Sequence, residues 1–253
     1  MQTENSNNWH NIAPSDYLED LYSNTDEDAE GGFLMNFFHK AYANAPHGNM
    51  LEVGGGPAIY QLISASAAVK SITFSEYSEE YLNEVRKWIN SDKNAFNWDE
   101  YFKIALKLEG KETTPENLAA IKRRLKDKLT KLIKIDLFSE KPLGKNNFGQ
   151  FDVISANFCP ESISKTETEF IKAMINIFSL LKKQGLLVMS LARNGHYYQA
   201  KNLKYYGFPA DENYIRQLLQ KNRFSSINLT SIPVNYEDEG YDGIITLTAI
   251  KSD

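Results

Sequence analysis

Residues 51–61 read Leu-Glu-Val-Gly-Gly-Gly-Pro-Ala-Ile-Tyr-Gln, an apolar run that enters a triple glycine and leaves it through a proline. Glycine takes a positive φ without steric cost and lets bare backbone approach a ligand. Gly54, Gly55 and Gly56 therefore suit a turn that cradles a nucleotide-like group. Pro57 fits the first turn of a following helix, where its missing N–H is not needed and the free amides of the helix start can bind. Further on, Ser71-Ile-Thr-Phe-Ser-Glu-Tyr-Ser forms a second short apolar strand ending in the acid Glu76. In a doubly wound sheet such an acid lies beside the glycine turn and accepts hydrogen bonds from ribose hydroxyls.

A dinucleotide site calls for G-x-G-x-x-G, whose third glycine lets the helix pack against the strand. Ile59 stands there, so the dinucleotide pattern fails. Glu52, at the end of the first strand, points instead to a cofactor carrying positive charge, as S-adenosylmethionine does through its sulfonium and amino groups. The expected chemistry is methyl transfer.

These residues need a sheet to hold them, and 253 residues are enough for one large α/β domain with a substantial core. Hydrophobic residues make up 42% of the chain, and the net charge of −5 offers no general attraction to polyanions, so nucleic acid is a poor partner. Cys159 is the single cysteine, which rules out an internal disulfide and fits a reducing compartment; with four scattered histidines it gives no metal-ligand spacing, and no metal is expected. The polar start Met1-Gln-Thr-Glu-Asn-Ser-Asn-Asn lacks the blocks of a signal peptide, and no apolar run reaches membrane-spanning length. The expectation is a soluble, cytoplasmic monomer.

Periodicity gives helices over 14–22 and 32–42, then a strand at 50–53, a helix from Ala58 through Ser64-Ala-Ser-Ala-Ala, and a strand at 71–75. An amphipathic helix follows from Ser78, with Leu82, Val85, Trp88 and Ile89 on one face. Two more helices, 98–108 and 115–128, delay the next strand; Thr114 caps the second and Pro115 opens it. The basic cluster Lys122-Arg-Arg-Leu-Lys-Asp-Lys reads as a solvated helix face rather than an RNA contact. Strands are expected at 132–137 and 151–156, a helix at 166–182 closing at Lys-Lys-Gln-Gly185, a strand at 186–191, a helix at 211–221 and a terminal antiparallel hairpin of 226–232 with 243–250. That makes seven strands.

Three blocks carry a family resemblance: Asp-Tyr-Leu-Glu-Asp-Leu-Tyr at 16–22, Gly-x-Gly-Pro-x-Ile-Tyr-Gln-Leu-x-Ser-Ala from Gly54 to Ala65, and Glu76-Tyr77-Ser78. Together with Lys87-Trp88-Ile89, Ala95-Phe96-Asn97-Trp98 and Leu108-Glu109-Gly110, they make the chain from about residue 14 onward resemble the small-molecule amine N-methyltransferases. Nicotinamide, phenylethanolamine, indolethylamine and thioether methyltransferases belong to that family. The resemblance implies a class I, Rossmann-like methyltransferase: a mostly parallel seven-stranded sheet of order 3-2-1-4-5-7-6 with a C-terminal antiparallel hairpin and helices on both faces. It also implies one domain over 1–253, a helical lid within 1–45, a helical insertion at 91–130, and S-adenosylmethionine as cofactor.

By position, Tyr17 and Tyr22 match lid tyrosines, Tyr60 the one that binds the methionine carboxylate, Gly54 and Gly56 the lining of the methionine part, Glu76 the ribose contact, and Asp136 with Leu137 the adenine contacts. Gly55, Tyr77, Ser78, Tyr81 and Asn157 complete the expected cofactor set. Tyr22 packing the lid and Asp136 capping a loop stay open as plainer roles. Two departures stand out: Tyr81 sits where the family has a ribose-binding Asn, and Leu191, Gly195 and Gly207 replace the Asp and two serines that hold a carboxamide in the nicotinamide branch. An amide buried there would lose its partners at roughly 1–3 kcal/mol per group, which argues against nicotinamide.

Transfer from a sulfonium is an in-line displacement that asks for alignment and exclusion of water. An aliphatic amine is mostly protonated at neutral pH, so an acid that takes its proton or anchors the cation helps. Glu161, in Asn157-Phe-Cys-Pro-Glu-Ser, and the acidic loop 237–242 are the candidates, each also readable as a solvated acid. Tyr197 and Tyr198 align with a Tyr-Tyr pair of the family and are candidates to cover the acceptor, with packing on a helix face as the alternative. The expected catalytic set is Tyr17, Glu161 and Tyr198. Asn157-Phe-Cys-Pro160 is only superficially like a nucleic-acid adenine methylase motif, and Cys159 reads as packing rather than a nucleophile. The leading expectation is methyl transfer to nitrogen of a small amine or N-heterocycle. Sulfur, selenium or oxygen acceptors, a protein or RNA methyltransferase, and a cofactor binder without chemistry are the alternatives.

Overall fold

The computed structural model describes residues 12–23, 30–145, 148–200, 203–234 and 240–253. Two helices, α1 (Pro14–Tyr22) and α2 (Glu30–Tyr42), precede β1 (Asn49–Val53). The glycine turn leads into a 3-10 turn (Tyr60–Leu62) and the short α3 (Ala65–Ala68), then β2 (Ser71–Glu76) and α4 (Glu79–Ile89). Helices α5 (Asp99–Leu108) and α6 (Pro115–Lys128) separate β2 from β3 (Leu129–Lys134). After β4 (Phe151–Asn157) come α7 (Pro160–Ile163), α8 (Glu167–Leu180) and β5 (Leu181–Arg193), then the hairpin β6 (Tyr197–Ala200) and β7 (Leu203–Tyr206), α9 (Glu212–Lys221), β8 (Phe224–Pro233) and β9 (Gly243–Lys251).

The main sheet has seven strands in the order β3-β2-β1-β4-β5-β9-β8. All neighbours from β3 to β5 are parallel, and β9 runs antiparallel to both β5 and β8. Because β6 and β7 form a separate two-stranded sheet, this is the expected order with the last two strands renumbered.

Side chains alternate across the sheet and feed two cores, as the period of a strand requires. Met50, Ile72, Phe74, Val153, Val188 and Ile244 pack on the face that carries α2 and α4–α6. Leu51, Val53, Ile154, Ala156, Leu187, Met189, Ile245 and Leu247 pack on the other, against Phe170, Met174 and Ile177 of α8 and Ile215 and Leu219 of α9. Burial on both faces explains why the central strands read as continuous apolar runs.

Local signals account for several boundaries. Ser78, Thr114, Thr166 and Asp211 each accept an N–H from the first turn of α4, α6, α8 and α9, and Thr166 with Glu169 forms a reciprocal capping box. Four expectations are corrected. The helix expected from Ala58 is broken into the 3-10 turn and α3, because the Gln61 amide donates to the carbonyls of Ala58 and Gly55 and competes with helical bonding. The third strand starts at Leu129, directly from the C-cap of α6, and ends before Asp136. Helix α8 ends at Leu180, so Lys182 and Lys183 belong to the start of β5, and Gln184, not Gly185, takes the positive φ of 59°. Tyr197 and Tyr198 lie on a strand, not a helix.

Candidate active site

On the α2-facing side of the sheet, each central strand turns from apolar to polar over its last residues. Met50 gives way to Glu52, Phe74 to Glu76, Val153 to Ser155 and Asn157, and Val188 to Ser190. Register places Glu52 beside Ser155, and Asn157 beside Ser190. The result is a row of polar side chains, all buried except the half-buried Asn157, along the carboxyl ends of the parallel strands, where open α/β sheets bind ligands.

Hydrogen bonds join this row. Glu52 Oε1 accepts from Gln61 Nε2 at 3.1 Å and Asn157 Nδ2 at 3.4 Å. Asn157 also donates to Ser155 Oγ at 2.8 Å and accepts from Ser190 Oγ at 2.9 Å. Glu52 Oε2 and Gln61 Oε1, both shut from solvent, have no partner. Burial is the main influence on the Glu52 carboxyl and pushes it up to about 7.

The glycine turn lies over this row. Gly54 holds φ at 59°, and a Cβ there would stand 2.2 Å from Cys159 Sγ, so the position needs glycine for both its conformation and its neighbour. At Gly56, φ is 61° and a Cβ would meet nothing within 4 Å, which marks open space on that side of the turn. Gly56 N–H donates to Glu76 Oε2 at 3.0 Å and Ser78 N–H to Glu76 Oε1 at 2.9 Å, locking the acid of β2 to the turn. Beside it Tyr77 is half exposed, and Lys134 Nζ lies 4.6 Å from the centre of its ring.

Aromatic side chains close the α1 side. Tyr17 packs on Tyr81 of α4 and on Tyr22, with ring centres 5.7 and 6.1 Å apart, and joins Ile12 and Tyr205. Burial raises the Tyr17 and Tyr81 phenols well above the ordinary range. Tyr22 also contacts Tyr60 at 5.4 Å, Trp98 at 5.5 Å and Tyr101 at 6.4 Å, tying α1 to the inserted α5.

Opposite the turn, Glu161 of α7 is buried. Its Oε1 accepts Ala192 N–H at 2.9 Å, its Oε2 has no partner, and burial pushes the carboxyl up to about 7. The β6–β7 hairpin and the segment behind it hold it in place: Phe208 N–H donates to Glu161 O at 2.9 Å and Gly207 N–H to His196 O at 2.9 Å. Cys159 lies among Glu76, Glu161 and Glu52, and burial together with those charges keeps it a thiol. Asp136 lies beyond β3, its Oδ1 accepting Phe138 N–H at 2.9 Å, and Leu137 is buried. The Tyr198 side chain and residues 237–239 of the acidic loop lie outside the described residues; Asp242, at the end of that loop, pairs with Arg193 and Asn194. Glu52 was read as the acid that calls for a cationic cofactor, whereas Gln61 and Ser190 were not among the expected site residues; for Ser190 the apolar-to-polar switch toward the end of β5 was the signal.

The sheet order and a glycine turn backed by acids at the ends of β1 and β2 define a class I S-adenosylmethionine-dependent methyltransferase. The DhpI–SAH complex superposes with a TM-score of 0.59 at 12% identity, covering 95% of this chain and 93% of that one. The N-methyltransferase NodS from Bradyrhizobium japonicum WM9, in complex with S-adenosyl-L-homocysteine, gives 0.55 at 13% identity over 95% and 99%. Among sequence relatives, nicotinamide N-methyltransferase of Homo sapiens is 30% identical over 203 residues, 78% of this chain and 75% of that protein. Phenylethanolamine N-methyltransferase of Macaca mulatta is 28% identical over 177 residues, 69% of this chain and 62% of that protein. The NNMT/PNMT/TEMT family model matches residues 1–252, and the chain belongs to that family.

The residues present fit S-adenosylmethionine. The space beside Gly56 admits a ligand against bare backbone, and the acids Glu52 and Glu76 suit its cationic methionine part and its ribose. No helix among the described residues is long and apolar enough to cross a membrane.

Proposed function

We propose that the protein methylates a nitrogen of a small, cationic amine or N-heterocycle, with Gly54, Gly55, Gly56, Tyr60, Glu76, Tyr77, Ser78, Asp136 and Leu137 holding the cofactor and Glu161 serving the acceptor. Bound there, S-adenosylmethionine supplies the electrophilic methyl group. The observation that carries the reading is the gathering of Glu52, Glu76 and Glu161 around the Cys159 thiol at the strand ends. Such a site favours cations, whereas phenolates and carboxylates meet like charge. Glu161 takes the proton that an ammonium must shed before its lone pair can attack; a carboxyl pushed up to about 7 is a competent base near neutral pH, and its Oε2 is uncommitted. Tyr17, Tyr22 and Tyr81 cover the site from the α1 side and keep water out. Tyr198 and Asn157 belong to the acceptor and cofactor sides respectively, Asn157 acting through Glu52.

The acceptor is not nicotinamide in this reading. Leu191 is wholly buried, and a Cβ on Gly207 would stand 2.9 Å from Glu161 O, so neither an acid nor a serine hydroxyl is on hand for a carboxamide. The test is calorimetric titration with S-adenosylmethionine of the native chain and of Gly56→Asn, followed by labelled-methyl transfer to a panel of amines, N-heterocycles, thioethers and phenols. Asparagine tolerates the positive φ and projects into the open space, so it should leave the fold intact while weakening binding at least roughly tenfold. Transfer to amines supports the reading. Transfer confined to thioethers or phenols overturns the nitrogen acceptor, and no binding at millimolar cofactor overturns the whole.

A further inference from the structure

The Glu52–Gln61 pair contains a mismatch. Gln61 Nε2 donates to Glu52 Oε1 at 3.1 Å, one leg of an amide–carboxyl pair. The other two atoms of the pair, Glu52 Oε2 and Gln61 Oε1, are buried acceptors without a donor. Two buried acceptors left unsatisfied are costly, and a single proton on Oε2 turns one of them into the donor the other lacks. We propose that Glu52 is a carboxylic acid in the free protein, paired with the Gln61 amide, and gives up this proton to solvent when the cationic methionine part of S-adenosylmethionine settles on the glycine turn. This rests on the cofactor reading above and goes beyond it, since it makes cofactor binding proton-linked.

The surroundings agree. Glu52 is completely buried, and on the sheet it lies between Phe74 of β2 and Ser155 of β4. Gln61 faces it from the 3-10 turn, the Ser155 hydroxyl and Asn157 from β4 and the raised Tyr42 phenol from α2; the first three favour the ionised form, and burial outweighs them. Beyond them lies the Cys159 thiol, on which Glu76 and Glu161 act with the same sign as Glu52. None of these groups is a cation, so the ionised carboxylate has no countercharge until a ligand brings one. Burial pushes the carboxyl up to about 7, in line with that geometry.

A cation within a few ångströms lowers a carboxyl by about 1–3 units. Taking a drop of about two from a starting value of about 7, binding releases about 0.8 proton at about pH 6 and under about 0.1 at about pH 8, and the cofactor binds about tenfold more weakly at the lower pH.

The experiment is calorimetry of S-adenosylmethionine binding in buffers of different ionisation enthalpy, with the full chain, Glu52→Gln and Glu161→Gln. The difference between the native chain and Glu52→Gln cancels protons exchanged by the cofactor itself. Expected is an extra release of most of a proton at the lower pH, absent from Glu52→Gln and retained in Glu161→Gln. A repeat with S-adenosylhomocysteine separates the two cations: release that persists assigns the effect to the ammonium, and release that disappears assigns it to the sulfonium. Cofactor binding with equal proton counts in the native chain and Glu52→Gln overturns the proposal and leaves the cofactor reading standing, whereas absence of binding overturns that reading. Should Glu52→Gln fail to fold, the infrared carbonyl intensity of protonated carboxyls in Glu161→Gln, which removes the other raised acid, must fall on adding cofactor; unchanged intensity overturns the proposal.

Discussion

Gly54→Ala tests the geometry of the turn against a specific neighbour. An alanine held at φ of 59° costs about 1–2 kcal/mol in backbone strain alone. Its Cβ would stand 2.2 Å from Cys159 Sγ, a side chain only 7% exposed, so the sulfur must move by more than an ångström or the turn must shift. Overpacking of this kind adds about 1–3 kcal/mol, giving a total of about 2–5. Cys159→Ala removes the sulfur and leaves the Cys159 Cβ as the nearest atom at 3.1 Å, a contact relieved by a few tenths of an ångström. That change alone costs about 1–2 kcal/mol in lost packing. The double variant should therefore be more stable than the sum of the singles by about 1–3 kcal/mol, while the backbone strain persists. Denaturant unfolding of the four proteins, with equal m-values, measures the coupling. Additivity within about 0.5 kcal/mol would refute the contact and with it the explanation of why glycine stands at 54.

Two further expectations concern other parts of the fold. Arg124 of α6 donates to both carboxylate oxygens of Glu109, to Ser66 Oγ at 2.9 Å and to Ile63 O at 3.4 Å, so Arg124→Ala should cost about 2 kcal/mol in unfolding free energy while leaving cofactor affinity within about threefold. Glu161 has its carboxyl raised from 4.5 to about 7, so the stability it contributes is full below about 4.5 and is lost as pH rises through about 7. Between about pH 5.5 and about pH 8.5 the native chain should lose about 2 kcal/mol more than Glu161→Gln in the same denaturant assay, and equal losses would show that Glu161 is not held neutral by burial.

Much of this architecture was legible because the punctuation was local. Proline at the first turn and a threonine cap mark α6 at the expected residues, and Pro14 does the same for α1. The failures share a cause, namely pairing that sequence periodicity does not see. Strand β3 is drawn back to Leu129 by its parallel pairing with Ile72 and continues from α6 without a loop, so Leu129, Thr130 and Lys131 join the strand ahead of its expected start at residue 132. The β6–β7 hairpin pairs Tyr197 with Tyr206 and Tyr198 with Tyr205 over strands of four residues, too short for alternation to be distinguished from a turn. For the site, the glycines and Glu76 were readable from type and place. Asp136 and Ser78 were also named, but the structure shows each already engaged with backbone, Asp136 with Phe138 N–H and Ser78 with Tyr81 N–H.

What the sequence hid is the depth of Glu52, and depth changes its chemistry. At a strand end an acid reads as a surface group ready to meet a cation, yet here the chain covers it with the 3-10 turn, α2 and the glycine loop itself. A carboxylate so placed must be paired, protonated or supplied with a countercharge, because an isolated buried ion costs more than folding can supply. Gln61 and Asn157 satisfy one oxygen and leave the other open. The same holds at Glu161, where one oxygen is bound to the backbone of β5 and the other is free. The site thus has two buried acids, each half satisfied, one beneath the proposed cofactor and one beside the proposed acceptor. A reaction that brings positive charge in on the cofactor and sheds a proton from an amine supplies what each of them lacks.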